Sequence, residues 1–189
     1  MLRDGFRKIF WGLILVLVEV HIVAFDLLPD PLGYFYILSG FNLLTSRYEM
    51  GRKGNWLAAG LILLSLPTIV IQNGFHDTIL TSPAAIYMSI MGILNLILAY
   101  FIFQLMISVA ASIGDRRLEK QTSGTCKMYM VTIFMVCFFQ SLRINMSSDQ
   151  LTGLTLISLV FSLMMQLSLL MQISTFNKLP DAPNWKPAG

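Results

Sequence analysis

The sequence predicts an all-α membrane protein: a polytopic bundle of six transmembrane helices with both termini in the cytoplasm. Three observations carry that prediction. Hydrophobic residues make up 56% of the 189-residue chain and charged residues 12%, too few charges to cover a water-soluble domain. The apolar residues gather into runs close to the roughly 20 that a hydrocarbon core of about 30 Å demands of a helix. Finally, all but one of the thirteen Lys and Arg residues fall in segments that this topology puts on one side. That is the positive-inside distribution; the dispersed cations, despite a net charge of +3, form no stripe for nucleic acid.

The first span, 9–28, follows Arg3, Arg7 and Lys8. Its apolar run is longer than a signal-peptide core, contains Glu19 and His21, and has Ile22 where an A-x-A-like cleavage site needs a small residue, so an uncleaved span is expected. The second, 31–46, starts at Asp30-Pro31, a cap followed by proline at the first helical position. It is only about 24 Å long as a helix, so either the bilayer thins there or the turn before it dips below the outer surface, where it should be covered by protein or face a wet cavity. The third, 56–72, follows Arg47, Arg52 and Lys53, and Pro67 predicts a kink in it.

Ser82-Pro83 opens the fourth span, 84–112, and Gly114 can close it in a left-handed conformation. Arg116, Arg117, Lys120 and Lys127 precede or begin the fifth, 127–143, which ends at Arg143, the one cation on the outer side. Ser147 and Gln150 have capping-box spacing before the sixth, 150–176. One transmembrane domain, 1–176, is thus expected, followed by a proline-rich, mobile cytoplasmic tail, 177–189, and no internal repeat is seen. Cys126 and Cys137 lie about 16 Å apart along one helix and read as free thiols.

Candidate chemistry is sparse. Glu19 sits in the middle of the first span, where an ionised carboxylate costs a few kcal/mol. Asp26 follows seven residues later on the same helical face, and Asp30 stands at the turn. Two readings fit these residues. In one, they form an acidic path from the outer face to a proton or cation site; in the other, Glu19 hydrogen-bonds across helices while Asp26 and Asp30 cap and solvate the turn. His76 and Asp77, in the outer loop, are weak candidates for a metal, and no ligand spacing enforces one.

Two polar stripes, Thr155, Ser158, Ser162 and Gln166 on the sixth span and Ser89, Gly92, Asn95 and Ala99 on the fourth, either pack helices closely or line a cavity. In the second case Asn95, Gln104, Gln140 and Gln166 contribute, with Arg143 at the mouth, pairing with Asp26 or Asp149. In the first, Arg143 reaches the headgroups. No G-x-S-x-G, H-E-x-x-H or phosphate-binding G-x-x-x-x-G-K occurs, so a non-catalytic role without cofactor is expected. The expected partners are the lipid bilayer of the cell membrane, a small solute or ion, and a second membrane protein or another copy of the chain.

The segment Phe25-Asp26-Leu27-Leu28-Pro29-Asp30-Pro31-Leu32-Gly33-Tyr34 resembles the F-D-x-L-P-D-x-x-G-Y first hairpin of uncharacterised small multi-pass membrane proteins of Gram-positive bacteria. The likeness covers about residues 1–50. It implies topology and membrane location and no catalytic role; Gly33 would let the first two helices approach closely, and Tyr34 would sit in the outer aromatic belt. In architecture alone, six spans with cytoplasmic termini are similar to the substrate-binding membrane subunits of energy-coupling-factor vitamin transporters. Val16 and Val20 stand where those subunits carry small residues on a docking face.

Overall fold

The computed structural model describes residues 2–21, 30–45, 48–71, 83–141 and 148–179. Among them lie six helices: α1 (Leu2–His21), α2 (Asp30–Thr45), α3 (Glu49–Ile71), α4 (Pro83–Ile113), α5 (Arg116–Ser141) and α6 (Ser148–Asn177). All regular structure in the described residues is helical. Three helices begin well before their expected spans: α1 at residue 2 instead of 9, α3 at 49 instead of 56, and α5 at 116 instead of 127. The apolar run marks where a helix enters hydrocarbon, but Arg, Lys, Glu and Leu are good helix formers and extend it beyond that point. α3 also continues through Pro67 to Ile71.

Among the described residues, three helices are long and apolar enough to cross a membrane, over Ser89–Ile113, Arg116–Phe139 and Gly153–Asn177. The first three helices differ from these for identifiable reasons. α1 carries Arg3, Asp4, Arg7, Lys8 and Glu19 within its 20 residues. α2 has only 16 residues, and α3 opens with Glu49, Arg52 and Lys53 before its apolar stretch.

Each helix packs on its neighbours in sequence, and α6 returns to α1 to close the ring. A hydrophobic cluster drawing on all six helices fills the end where the basic segments lie. Phe6 stacks at a tilt on Phe176, ring centroids 5.3 Å apart, and Phe103 packs on Tyr129 at 5.5 Å. Ile9, Phe41, Ile102, Met106 and Ile173 around them are fully buried.

The closest association is between α1 and α2. Gly5 and Gly12 are a heptad apart on α1, and Gly33 and Gly40 a heptad apart on α2. A Cβ added to Gly12 would lie 2.6 Å from the Gly33 carbonyl oxygen and 2.9 Å from the Ile37 nitrogen; one on Gly40 would lie 2.7 Å from the Gly5 oxygen. The two backbones are in direct contact, as expected at Gly33, and at both ends of the hairpin. Nζ of Lys8 donates to Oγ of Ser39 across the same interface at 2.7 Å.

At the opposite extreme of connection length, α4 and α5 are joined by Gly114 and Asp115 alone. Gly114 has φ 80°, as its position after the helix requires. Its N–H donates to Ala111 O and that of Asp115 to Ala110 O, the paired bonds of a Schellman motif. Asp115 then caps α5, its Oδ1 accepting from the Leu118 N–H at 2.9 Å.

Candidate functional site

The register of the glycine contacts fixes depth along the α1–α2 hairpin. Gly12 faces Gly33, so residues after 12 on α1 and before 33 on α2 run toward the same end, away from the basic segments. Glu19 is about 10 Å beyond Gly12 along α1, and Asp30 about 4.5 Å beyond Gly33 along α2. Positions 19 and 30 therefore both lie on the hairpin at the end away from the basic segments. Asp26 lies outside the described residues, as do His76, Asp77 and Arg143.

Next to that end sits a partly buried polar bond. Tyr34 follows Gly33 by one residue, so the close contact of α1 with α2 carries its ring into the bundle, where it is 1% exposed. Its hydroxyl donates to Oδ1 of Asn95 on α4 at 2.8 Å. The expected place of Tyr34 in the outer aromatic belt is thus corrected: the phenol is turned inward, and a buried Tyr O–H needs an acceptor. Asn95 is half-buried, and this bond engages only its carbonyl edge, leaving its amide N–H groups for other partners.

The remaining polar candidates separate. Gln166 is half-buried on α6, and Gln140 falls in the last turn of α5. On the α6 stripe Ser158 is buried, Ser162 is half-buried, and Thr155 is exposed. The α4 stripe divides as well: Ala99 is buried, whereas Ser89 and Gly92 are exposed, and a Cβ on Gly92 would meet nothing within 4 Å. Helical spacing left packing and cavity lining open; the buried face of α4 runs through Met91, Leu98, Ala99 and Ile102, so it is offset from the stripe and shares Ala99 with it.

Two polar contacts had no part in the sequence-based expectations. Gln172 on α6 is buried, and its Nε2 donates to Oγ1 of Thr122 on α5 at 2.7 Å; that hydroxyl in turn donates to Leu118 O. Lys8 was counted only as a topology signal, yet it bonds Ser39. A sequence signal existed for Gln172, which shares a helix face with the core residues Leu169, Ile173 and Phe176. Cys126 is buried and Cys137 exposed, both free thiols. Among the described residues, no three His, Cys, Asp or Glu side chains converge on a metal position.

The described polar contact here is the Tyr34–Asn95 bond, and positions 19 and 30 lie further along the hairpin, away from the basic segments. A hydroxyl and an amide in a low-dielectric setting can hold a small polar solute or join helices by hydrogen bonds. No protein-family model, curated protein or solved structure matches the chain.

Proposed function

We propose that the chain is a six-span protein of the cell membrane, both termini cytoplasmic, that binds or moves a small solute or ion without catalysing a reaction. The observation that carries this reading is the partly buried Tyr34–Asn95 bond between α2 and α4, at a level inward of residues 19 and 30. Ionisable groups inside a membrane bundle are costly and mark ion and solute paths, which is the role proposed for Glu19 beside this polar bond. In this reading Glu19 is the protonatable group, Asp26 and Asp30 line the outer entrance, and the Tyr34–Asn95 pair forms the inner wall. The positive-inside charge pattern and the likeness of the first hairpin support the topology.

The test is a thermal-stability series of purified protein across pH and a panel of monovalent and divalent cations. Wild type should show cation- or pH-dependent stabilisation. Glu19→Gln should accumulate normally and lose that dependence; a variant that keeps it in full removes Glu19 from the site.

A second reading is favoured by a separate observation. Only 17% of each membrane window of α5 and α6 is buried within the chain. Such faces suit an accessory, regulatory or immunity subunit docked on another membrane protein. Extraction into native lipid particles followed by mass spectrometry separates the two: a stoichiometric protein partner supports docking, and a retained solute without a partner supports binding.

A further inference from the structure

The exposed face of α5 carries two kinds of chemistry in sequence. Near its start, Arg116, Lys120, Ser123 and Lys127 lie on one helical face, at spacings of four, three and four residues. With Ile107 of α4, Glu119 and Gly124 they line an open groove of about 570 Å³. Gly124 leaves its floor uncovered, since a Cβ there would meet nothing within 4 Å. Three cations stand against the single carboxylate of Glu119. Continuing at the same spacing, Val131, Phe134 and Phe138 extend this face away from the charged end, at 60%, 64% and 53% exposure.

We infer that this face is a binding site for an anionic phospholipid, its phosphodiester between Lys120 and Lys127, Arg116 adding positive charge above it, and an acyl chain along Val131, Phe134 and Phe138. The geometry matches an amphiphile. Lys127 to Phe138 spans about 16 Å of helix, one leaflet of a hydrocarbon core of about 30 Å. Lys120 lies about 10 Å above Lys127, at headgroup depth, and both long side chains can reach toward a phosphate at the boundary. Basic pockets beside membrane helices on the positive side are suited to acidic headgroups. Charge and apolar surface alone would attract lipid diffusely; the groove beside Ile107 and the uncovered Gly124 give the headgroup a place to sit. The inference rests on α5 lying in a membrane and is independent of any solute at Glu19.

The experiment reconstitutes the full chain into nanodiscs of equal phosphatidylglycerol and phosphatidylcholine and counts the lipids retained after gentle release, by native mass spectrometry. Wild type should retain phosphatidylglycerol in preference to phosphatidylcholine. The triple variant Arg116→Gln, Lys120→Gln and Lys127→Gln should lose that lipid about 100-fold, each surface cation contributing roughly a fivefold share. The charge-keeping variant Arg116→Lys, Lys120→Arg and Lys127→Arg should retain it. A control that removes three exposed cations elsewhere, Arg3→Gln, Lys53→Gln and Lys178→Gln, should stay within about twofold of wild type, as distant cations contribute little through screening. Equal loss in the control and the α5 variant would mean diffuse attraction and overturn the site. Binding of water-soluble glycerol phosphate as tight as that of the lipid would make it a free-phosphate site and overturn the acyl track.

Discussion

The hairpin of α1 and α2 and the pair of α5 and α6 solve the same problem differently. On α1–α2, four glycines in register bring backbone against backbone. On α5 and α6, Gly124 and Gly153 stand in open space, and Met128, Val131, Phe134, Val160 and Phe161 point outward. In a bilayer, trading lipid for a neighbouring leucine gains little, whereas close backbone approach and interhelical hydrogen bonds gain more. The first pair is therefore held by shape, and the second by few contacts, the Gln172–Thr122 bond among them. A glycine marks backbone-to-backbone contact where its partner helix offers another at the matching height.

Substitutions can break that contrast or sharpen it. The largest effect belongs to Gly12→Leu, whose side chain would have to displace the α2 backbone at Gly33; a loss of about 3 kcal/mol or more is expected, seen as a collapse of the monodisperse peak in fluorescence-detected size exclusion. Gly92→Leu, into open space, should leave that peak intact, and equal damage from both would dissolve the contrast. Tyr34→Phe removes one buried hydrogen bond and leaves Asn95 short of its donor. It should cost about 1 kcal/mol, read as a lowered melting temperature in detergent.

Gln172→Leu should cost somewhat less, near 0.6 kcal/mol, because the Thr122 hydroxyl keeps its bond to Leu118 O; the same melting assay ranks it against Tyr34→Phe. Smallest of all, Phe134→Ala on the exposed face of α5 should stay within about 0.5 kcal/mol of wild type. A larger drop, measured in the same detergent, would show that this face is covered in the native assembly.

Much of this arrangement was readable in the chain. Six apolar runs became six helices, Pro83 and Gly114 mark the helix boundaries as expected, and Gly33 lies where two helices touch. What escaped is relational. Gly5, Gly12 and Gly40 are unremarkable singly, since nothing in one helix says which residue of the next will stand opposite. Tyr34 is the kind of residue that belongs at a membrane interface, and only the tight crossing beside Gly33 turns it inward to Asn95. Gly92 is exposed for a different reason: spacing groups it with Asn95 and Ala99, but spacing cannot say which side of α4 turns to the core, and that side runs through Met91 and Leu98. Of the candidate site, Asn95 is joined to a partner that had not been expected, and Glu19 and Asp30 are placed at one end of the hairpin by register.

The mating of Gly5 with Gly40 and of Gly12 with Gly33 has a consequence for how this chain can change in length. Residues 22–29 can gain or lose members without disturbing either pairing, since both glycines of each helix stay a heptad apart. One residue inserted between Gly5 and Gly12 would instead swing one glycine about 100° around the helix relative to the other, leaving only one of the two pairings intact. Insertions should therefore be tolerated in the connection and excluded from the seven-residue intervals. That asymmetry gives a sequence filter for distant relatives: two G-x-x-x-x-x-x-G intervals of fixed length separated by a connection of any length.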